Sequence, residues 1–181
     1  MSHAPAAGPA SLPAPSNPVL ALVARALGLL NGVIVVAASI ALVLACVILS
    51  HSVVVRYFLH QPTYWQDEAA VFLLVGATFL SAAYVQSRRG HIGIEAFASI
   101  LPAGIDRLRR LVIDVASLAF CAFFAWKSWT LLHEAWVDGQ VTSSTWAPPL
   151  WIPYAAMTGG MALLCLQIAL QVALWFDRGR A

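Results

Sequence analysis

The sequence predicts an all-α polytopic membrane protein, with four transmembrane helices and a short interfacial amphipathic helix between helices two and three. Three observations predict it. Apolar stretches cover 27–49, 69–85, 111–132 and 151–176, and a hydrocarbon core of about 30 Å needs about 20 helical residues. The chain of 181 residues is 61% hydrophobic and 10% charged, with mean hydropathy +0.81, whereas a soluble domain carries about 25% charged residues. The basic residues also fall mainly on one side of such an arrangement, which gives the spans a consistent direction.

Residues 1–20 are rich in Ala, Pro and Ser and carry no charged side chain. That composition predicts a flexible tail, cytoplasmic by the charge argument below, and a four-helix membrane domain over 21–181. The tail has no basic n-region, and the apolar run after it is too long for a signal-peptide h-region, so the first span is expected to stay as an uncleaved anchor.

Span one is followed by a polar segment, 51–66. Thr63 and Gln66 have capping-box spacing just after Pro62, which predicts a capped start for span two. Asp67 and Glu68 then fall in the first turn, where negative charge is favoured by the helix dipole. That structural role and a role in binding a partner both suit these two acids.

Arg88, Arg89, Gly90 and His91 end span two. The stretch 92–101 follows, stopped by Pro102. In helical projection Ile94, Phe97, Ile100 and Leu101 share one side, and Glu95 and Ser99 the other. Ten residues are too few to cross, and this pattern is that of a helix lying in the interfacial plane. The arginines at its ends suit anionic headgroups, so membrane lipids are expected partners.

Span three opens with Asp106, Arg110 and Asp114 at i, i+4, i+8, a spacing for ion pairs on one helix face. Lys127 lies in the outer third of the same span, flanked by Trp126 and Trp129. It either snorkels to the interface or faces the bundle or a partner subunit, since intramembrane charges mark functional contacts. Pro148 and Pro149 break the next loop, and Pro153 lies early in span four, where a missing amide is tolerated. Thr158, Gly159 and Gly160 give span four a small-residue patch suited to close helix contact. The spans do not form two similar halves, so the inverted-repeat signature of a self-sufficient transporter is missing.

Charge placement gives the orientation. With both termini cytoplasmic, the inner side receives Arg25, Arg88, Arg89, Arg107, Arg109, Arg110, Arg178 and Arg180. The outer side receives Arg56 and Lys127. The positive-inside rule therefore predicts N-in and C-in. Trp65, Trp129, Trp136, Trp146 and Trp151 fall near the outer boundary. The net charge of +2 is too small to imply nucleic acid.

The residues for chemistry are sparse. Cys46, Cys121 and Cys165 are single thiols within spans, and without a Cys-x-x-Cys they argue against a disulfide oxidoreductase. Of His51, His60, His91 and His133, His51 and His133 both lie near outer span ends, where a bis-histidine haem site is conceivable, but nothing at helical spacing supports it, and no metal-ligand cluster appears. There is no phosphate loop or nucleophile elbow. The sequence predicts no enzyme activity and no cofactor.

Several motifs in order carry a resemblance. Arg56-Tyr57-Phe58 follows span one, and Trp65-Gln66-Asp67-Glu68 enters span two, which contains Gly76. Arg88-Arg89-Gly90-His91-Ile92 leaves span two, Leu101-Pro102 ends the short stretch, and the segment 149–154 leads to Met157 and Gly159-Gly160. This order resembles the small membrane subunit of TRAP transporters, the DctQ-like family, over about 27–176. The family often has an acid two places after Gly-His-Ile; here Glu95 stands three places after Ile92.

The resemblance implies a bacterial inner-membrane subunit that pairs with a larger multi-span permease. A periplasmic binding protein would deliver a small organic acid, and a sodium gradient would drive its uptake. The small subunit would brace the large one and help dock the binding protein. In that setting Arg56, Trp65 and Glu68 are expected to form an outer polar cluster holding spans one and two in register. Arg88, Arg89, His91 and the stretch 92–101 would seat the subunit in the inner leaflet, and Gly76, Gly159 and Gly160 would allow close packing. The rival classes are a haem- or quinone-binding membrane anchor of a respiratory complex and a small homo-oligomeric exporter.

Overall fold

The computed structural model of the chain describes residues 18–88 and 103–178, with side chains except at 103–108, 110 and 175–178. Four helices account for nearly all of these residues: α1 (Pro18–Phe58), α2 (Gln66–Ser87), α3 (Ala103–Val137) and α4 (Trp151–Arg178). Each is long and apolar enough to cross a membrane, α3 within Leu111–Val137 and α4 within Trp151–Leu174. The four expected spans thus each fall inside one helix. The expected interfacial helix over 92–101 lies outside the described residues.

Helix α1 has 41 residues. At about 1.5 Å per residue it is roughly 60 Å long, twice a hydrocarbon core. Its described length begins at Pro18, and proline suits a first helical position because its missing amide costs no bond there. The early turns of α1 are held by packing: Leu27 joins Leu170 and Leu174 of α4, with Leu20, Val23 and Ala24 against them.

The helices run up and down and pack pairwise. α1 lies along α2, α2 along α4, and α4 along α3, while α1 touches α4 more lightly. α2 and α4 are therefore the inner pair, and α1 and α3 flank them. The buried residues of the α1 seam facing α2 and α4 are Leu27 and then the small or polar Asn31, Ala38, Ala45 and Ser52. From Asn31 onward they recur every seven residues, the spacing of a coiled-coil seam. Small residues let backbones approach where no hydrophobic drive separates helix from lipid.

The expected capping box does not form. α2 starts at Gln66, with Trp65 as its N-cap and no side-chain cap bond. Thr63 Oγ1 is engaged elsewhere, accepting from Ser52 Oγ at 3.2 Å. Gln66 Oε1 instead accepts from the Trp65 amide at 3.3 Å. Asp67 and Glu68 do lie in the first turn, as expected.

The α3–α4 connection is a small ordered turn. Val141 and Pro149 form an isolated antiparallel bridge. Leu150 N donates to Gln140 O at 2.9 Å and Thr142 N to Pro148 O at 3.1 Å. Gly139 (φ 60°) supplies the left-handed residue just after α3, where glycine pays no Cβ penalty.

Candidate functional site

Two polar clusters meet at the end of the molecule that carries both loops, 59–65 and 138–150. The first joins α1 to α2. Arg56 Nη2 donates to Ser52 Oγ at 2.9 Å and to Asp67 Oδ1 at 3.2 Å. Ser52 is fully buried, so its hydroxyl ties a helix seam to a surface ion pair. The pair itself is half exposed, at 50% and 54%, and such pairs contribute at most about 1 kcal/mol.

The second cluster joins α2 to the 138–150 turn. Ser144 Oγ donates to Glu68 Oε2 at 2.8 Å. The same hydroxyl oxygen accepts from the Ala147 amide at 3.1 Å and lies 3.2 Å from Thr142 Oγ1. Ser144 thus closes its own turn while reaching across to α2. Trp65 meets Trp146 edge-on at 6.4 Å, and Trp136 meets Trp151 edge-on at 5.0 Å. These rings form a belt of the kind that marks a membrane–water boundary.

The three residues expected to form one cluster are therefore divided. Arg56 reaches Asp67, whereas Trp65 and Glu68 reach the second loop. Adjacent positions on α2 point to different neighbours, about 100° apart around the axis. The sequence reading missed Ser52, Asp67 as the partner of Arg56, and Ser144. The seven-residue spacing that ends at Ser52 was the available signal; nothing local marked Ser144.

The expected close-packing glycines also differ from one another. A Cβ on Gly160 meets the Phe79 carbonyl of α2 and stands 2.9 Å from Leu80 N, so α2 and α4 touch backbone to backbone there. A Cβ on Gly76 is 3.9 Å from Ala156 Cβ, an ordinary contact, and one on Gly159 meets nothing within 4 Å. Thr158 is buried beside this crossing.

Toward the opposite end the inner pair is joined by amides. Gln86 Nε2 donates to Gln171 Oε1 at 2.9 Å, and Gln171 Nε2 donates to the Gln86 carbonyl at 3.0 Å. Asn31 Nδ2 donates to Gln167 Oε1 at 3.1 Å, linking α1 to α4. Sequence reading singled out none of these amides. Arg88 is exposed, with its guanidinium 5.4 Å from the Tyr84 ring centroid. Arg89, His91 and Glu95 lie outside the described residues, and so do the side chains of Asp106 and Arg110.

Among the described residues, no group of three or more His, Cys, Asp or Glu is placed to hold a metal ion. His51 and His133 are both exposed. Cys46 is exposed, and Cys121 and Cys165 are partly buried.

Fold and site together define a helical protein of the multi-pass membrane class, with its described polar residues joining helices and loops. Residues 45–178 match the family described as tripartite ATP-independent periplasmic transporters, DctQ component, and the chain belongs to that family, the small permease component of TRAP transporters. It is 30% identical over 145 residues to the C4-dicarboxylate TRAP transporter small permease protein DctQ of Vibrio cholerae serotype O1, covering 67% of this chain. The match spans 62% of that relative's length. No solved structure matches. The family gives the respiratory-anchor alternative no support.

Proposed function

We propose that this chain is the small membrane subunit of a sodium-driven, binding-protein-dependent importer of a small organic acid, a carboxylate or sugar acid. It has no enzymatic activity of its own. Its partners are a large multi-span permease, which it braces, and a periplasmic binding protein, which it helps to dock. The observation that carries this reading is the family match across 45–178, which takes in α2, α3 and α4 and the last third of α1. The name of the Vibrio relative favours a C4-dicarboxylate as the acid.

The chain sits in a bacterial inner membrane with both termini cytoplasmic, by the arginine distribution. The end carrying Arg56, Asp67, Glu68 and Ser144 then faces the periplasm. There the two clusters hold the loops that a binding protein meets, with Trp65 and Trp146 at the boundary. Arg88 then lies toward the inner leaflet and its headgroups.

Affinity purification from the native host through a C-terminal tag tests this. A stoichiometric multi-span permease is the expected companion, and uptake of a radiolabelled C4-dicarboxylate into proteoliposomes should require both chains, a binding protein and sodium. Recovery with redox subunits, or transport by this chain alone, overturns the proposal.

A further inference from the structure

The two flanking helices present different faces to the membrane. α1 exposes Leu29, Val33, Val36, Ile40, Val43 and Val47, and no charged residue lies between Arg25 and Arg56. Lipid alone satisfies that face. α3 exposes Phe120 at 69% and Phe123 at 56%, with Lys127, one turn further on, exposed on the same side.

Contacts between helices set the level of Lys127 within the bundle. Gly160 of α4 abuts Phe79 of α2, and Phe79 stacks on Phe124 of α3 at 6.2 Å, so these three residues share a level. Lys127 is one turn beyond Phe124. The Trp136–Trp151 pair, 5.0 Å between centroids, lies about 13 Å further along α3, at about 1.5 Å per residue. In the other direction the span continues for about 24 Å to Leu111 by the same rise. With the Trp136–Trp151 pair, rather than Trp129, as the outer boundary, Lys127 lies about 13 Å inside a hydrocarbon core of about 30 Å, deeper than the outer third expected from the sequence.

Snorkelling does not serve from there. A lysine stem reaches roughly half the distance to the tryptophan level. Side chains also lean toward the N-terminus of their own helix, which on α3 is away from that nearer boundary. Lys127 Nζ follows this lean: it lies 4.8 Å from the centroid of the preceding Trp126 ring. Among the described residues it has no carboxylate or other hydrogen-bond acceptor. An ammonium in hydrocarbon pairs with an acid or a carbonyl on protein rather than standing in lipid.

We infer that the Phe120–Phe123–Lys127 face of α3 is the intramembrane contact with the large permease subunit, whose transmembrane carboxylate pairs with Lys127. The inference rests on the transporter-subunit reading and adds the helix and the charge through which the two subunits meet. The phenylalanines exclude lipid around the pair, and the ion pair sets the register of α3 against the partner helix.

The test is purification of the tagged full chain from its native host with Lys127→Met, Lys127→Glu or Lys127→Arg. A photoreactive phenylalanine at Phe123, and at Val36 on α1 for comparison, is run in parallel. Lys127→Met and Lys127→Glu should lower the yield of co-purified permease by about tenfold or more, while Lys127→Arg retains it. The Phe123 probe should form an adduct with a permease peptide, and the Val36 probe with lipid. Lys127→Met removes a charge from the hydrocarbon, so the variant inserts at normal level, and membrane abundance is the control.

Unchanged permease yield in Lys127→Met, or a Phe123 adduct with lipid or a second copy of this chain, overturns the inference and leaves the transporter-subunit reading standing. Failure of the unsubstituted chain to bring down any large permease overturns both.

Discussion

Gly160 of α4 rests against the Phe79 carbonyl of α2. The atoms that a Cβ would meet, the Phe79 carbonyl and Leu80 N, are all backbone, so no rotamer change relieves the contact. One helix must move. Gly160→Ala is expected to destabilise the folded subunit by about 1–3 kcal/mol, the usual cost of overpacking. Gly159→Ala, pointing into open space, should stay within about 0.5 kcal/mol of the parent. Thermal unfolding in detergent, followed by tryptophan fluorescence, reads both. Equal losses at 159 and 160 would mean that helix–helix approach is not what selects glycine there.

The glycine pair shows what the sequence discloses and where it stops. Apolar length and composition are properties of each segment alone, so four spans were legible without any knowledge of neighbours. The direction of a small residue around its helix is not, and Gly159 and Gly160 look alike until α2 is in place. The same holds at the loop end. Arg56 and Glu68 are conspicuous residues, but which acid meets Arg56 depends on how far α1 extends and where α2 starts. Thr63 had capping-box spacing; the buried Ser52 claims its hydroxyl, and the helix begins after Trp65. The seven-residue recurrence of Asn31, Ala38, Ala45 and Ser52 is present in the sequence, but three of the four are small and do not stand out within a span that is apolar all round.

Glu68 and Ser144 are separated by 76 positions and share one hydrogen bond. Losing it should loosen the 138–150 turn more than it destabilises the whole subunit. Ser144→Ala also removes the acceptor for the Ala147 amide, so it should be the more damaging single change. Glu68→Ala leaves the turn closed but unattached. Each hydrogen bond contributes about 1 kcal/mol, and the double variant should cost less than the sum of the singles because the shared bond is lost only once. Hydrogen exchange at 142–147 measures it. Additive effects would show that the contact does not couple loop to helix.

Arg56 and Asp67 invite a larger expectation than their geometry supports. Both are half exposed, so Asp67→Asn should cost at most about 1 kcal/mol and less in high salt. Arg56→Ala should exceed it, since Arg56 also donates to the buried Ser52, whose hydroxyl loses that donor. A salt titration of thermal unfolding for both variants separates the two contributions. A salt-sensitive loss of several kcal/mol in Asp67→Asn would mean that the pair is shielded from solvent.

Asn31 and Gln167 form a hydrogen bond between side chains 1% and 3% exposed, within α1 and α4. Hydrogen bonds between membrane helices contribute about 0.6 kcal/mol on average and up to about 1.7. The two ends of this bond are not equivalent. Asn31 Oδ1 is buried without a partner among the described residues, so Asn31→Leu removes an unsatisfied oxygen together with the bond. Gln167→Leu removes the bond and leaves both polar atoms of Asn31 unpaired. Asn31→Leu in turn leaves the buried Gln167 Oε1 without its donor, so both single variants are expected to destabilise, Gln167→Leu by about 1–3 kcal/mol and Asn31→Leu by less, and the double variant should recover most of the loss, because replacing both partners removes the desolvation penalty. Unfolding midpoints of the three variants in one detergent decide it. A larger loss for Asn31→Leu than for Gln167→Leu would show that Oδ1 is satisfied in the assembled membrane, by water or by a neighbouring chain.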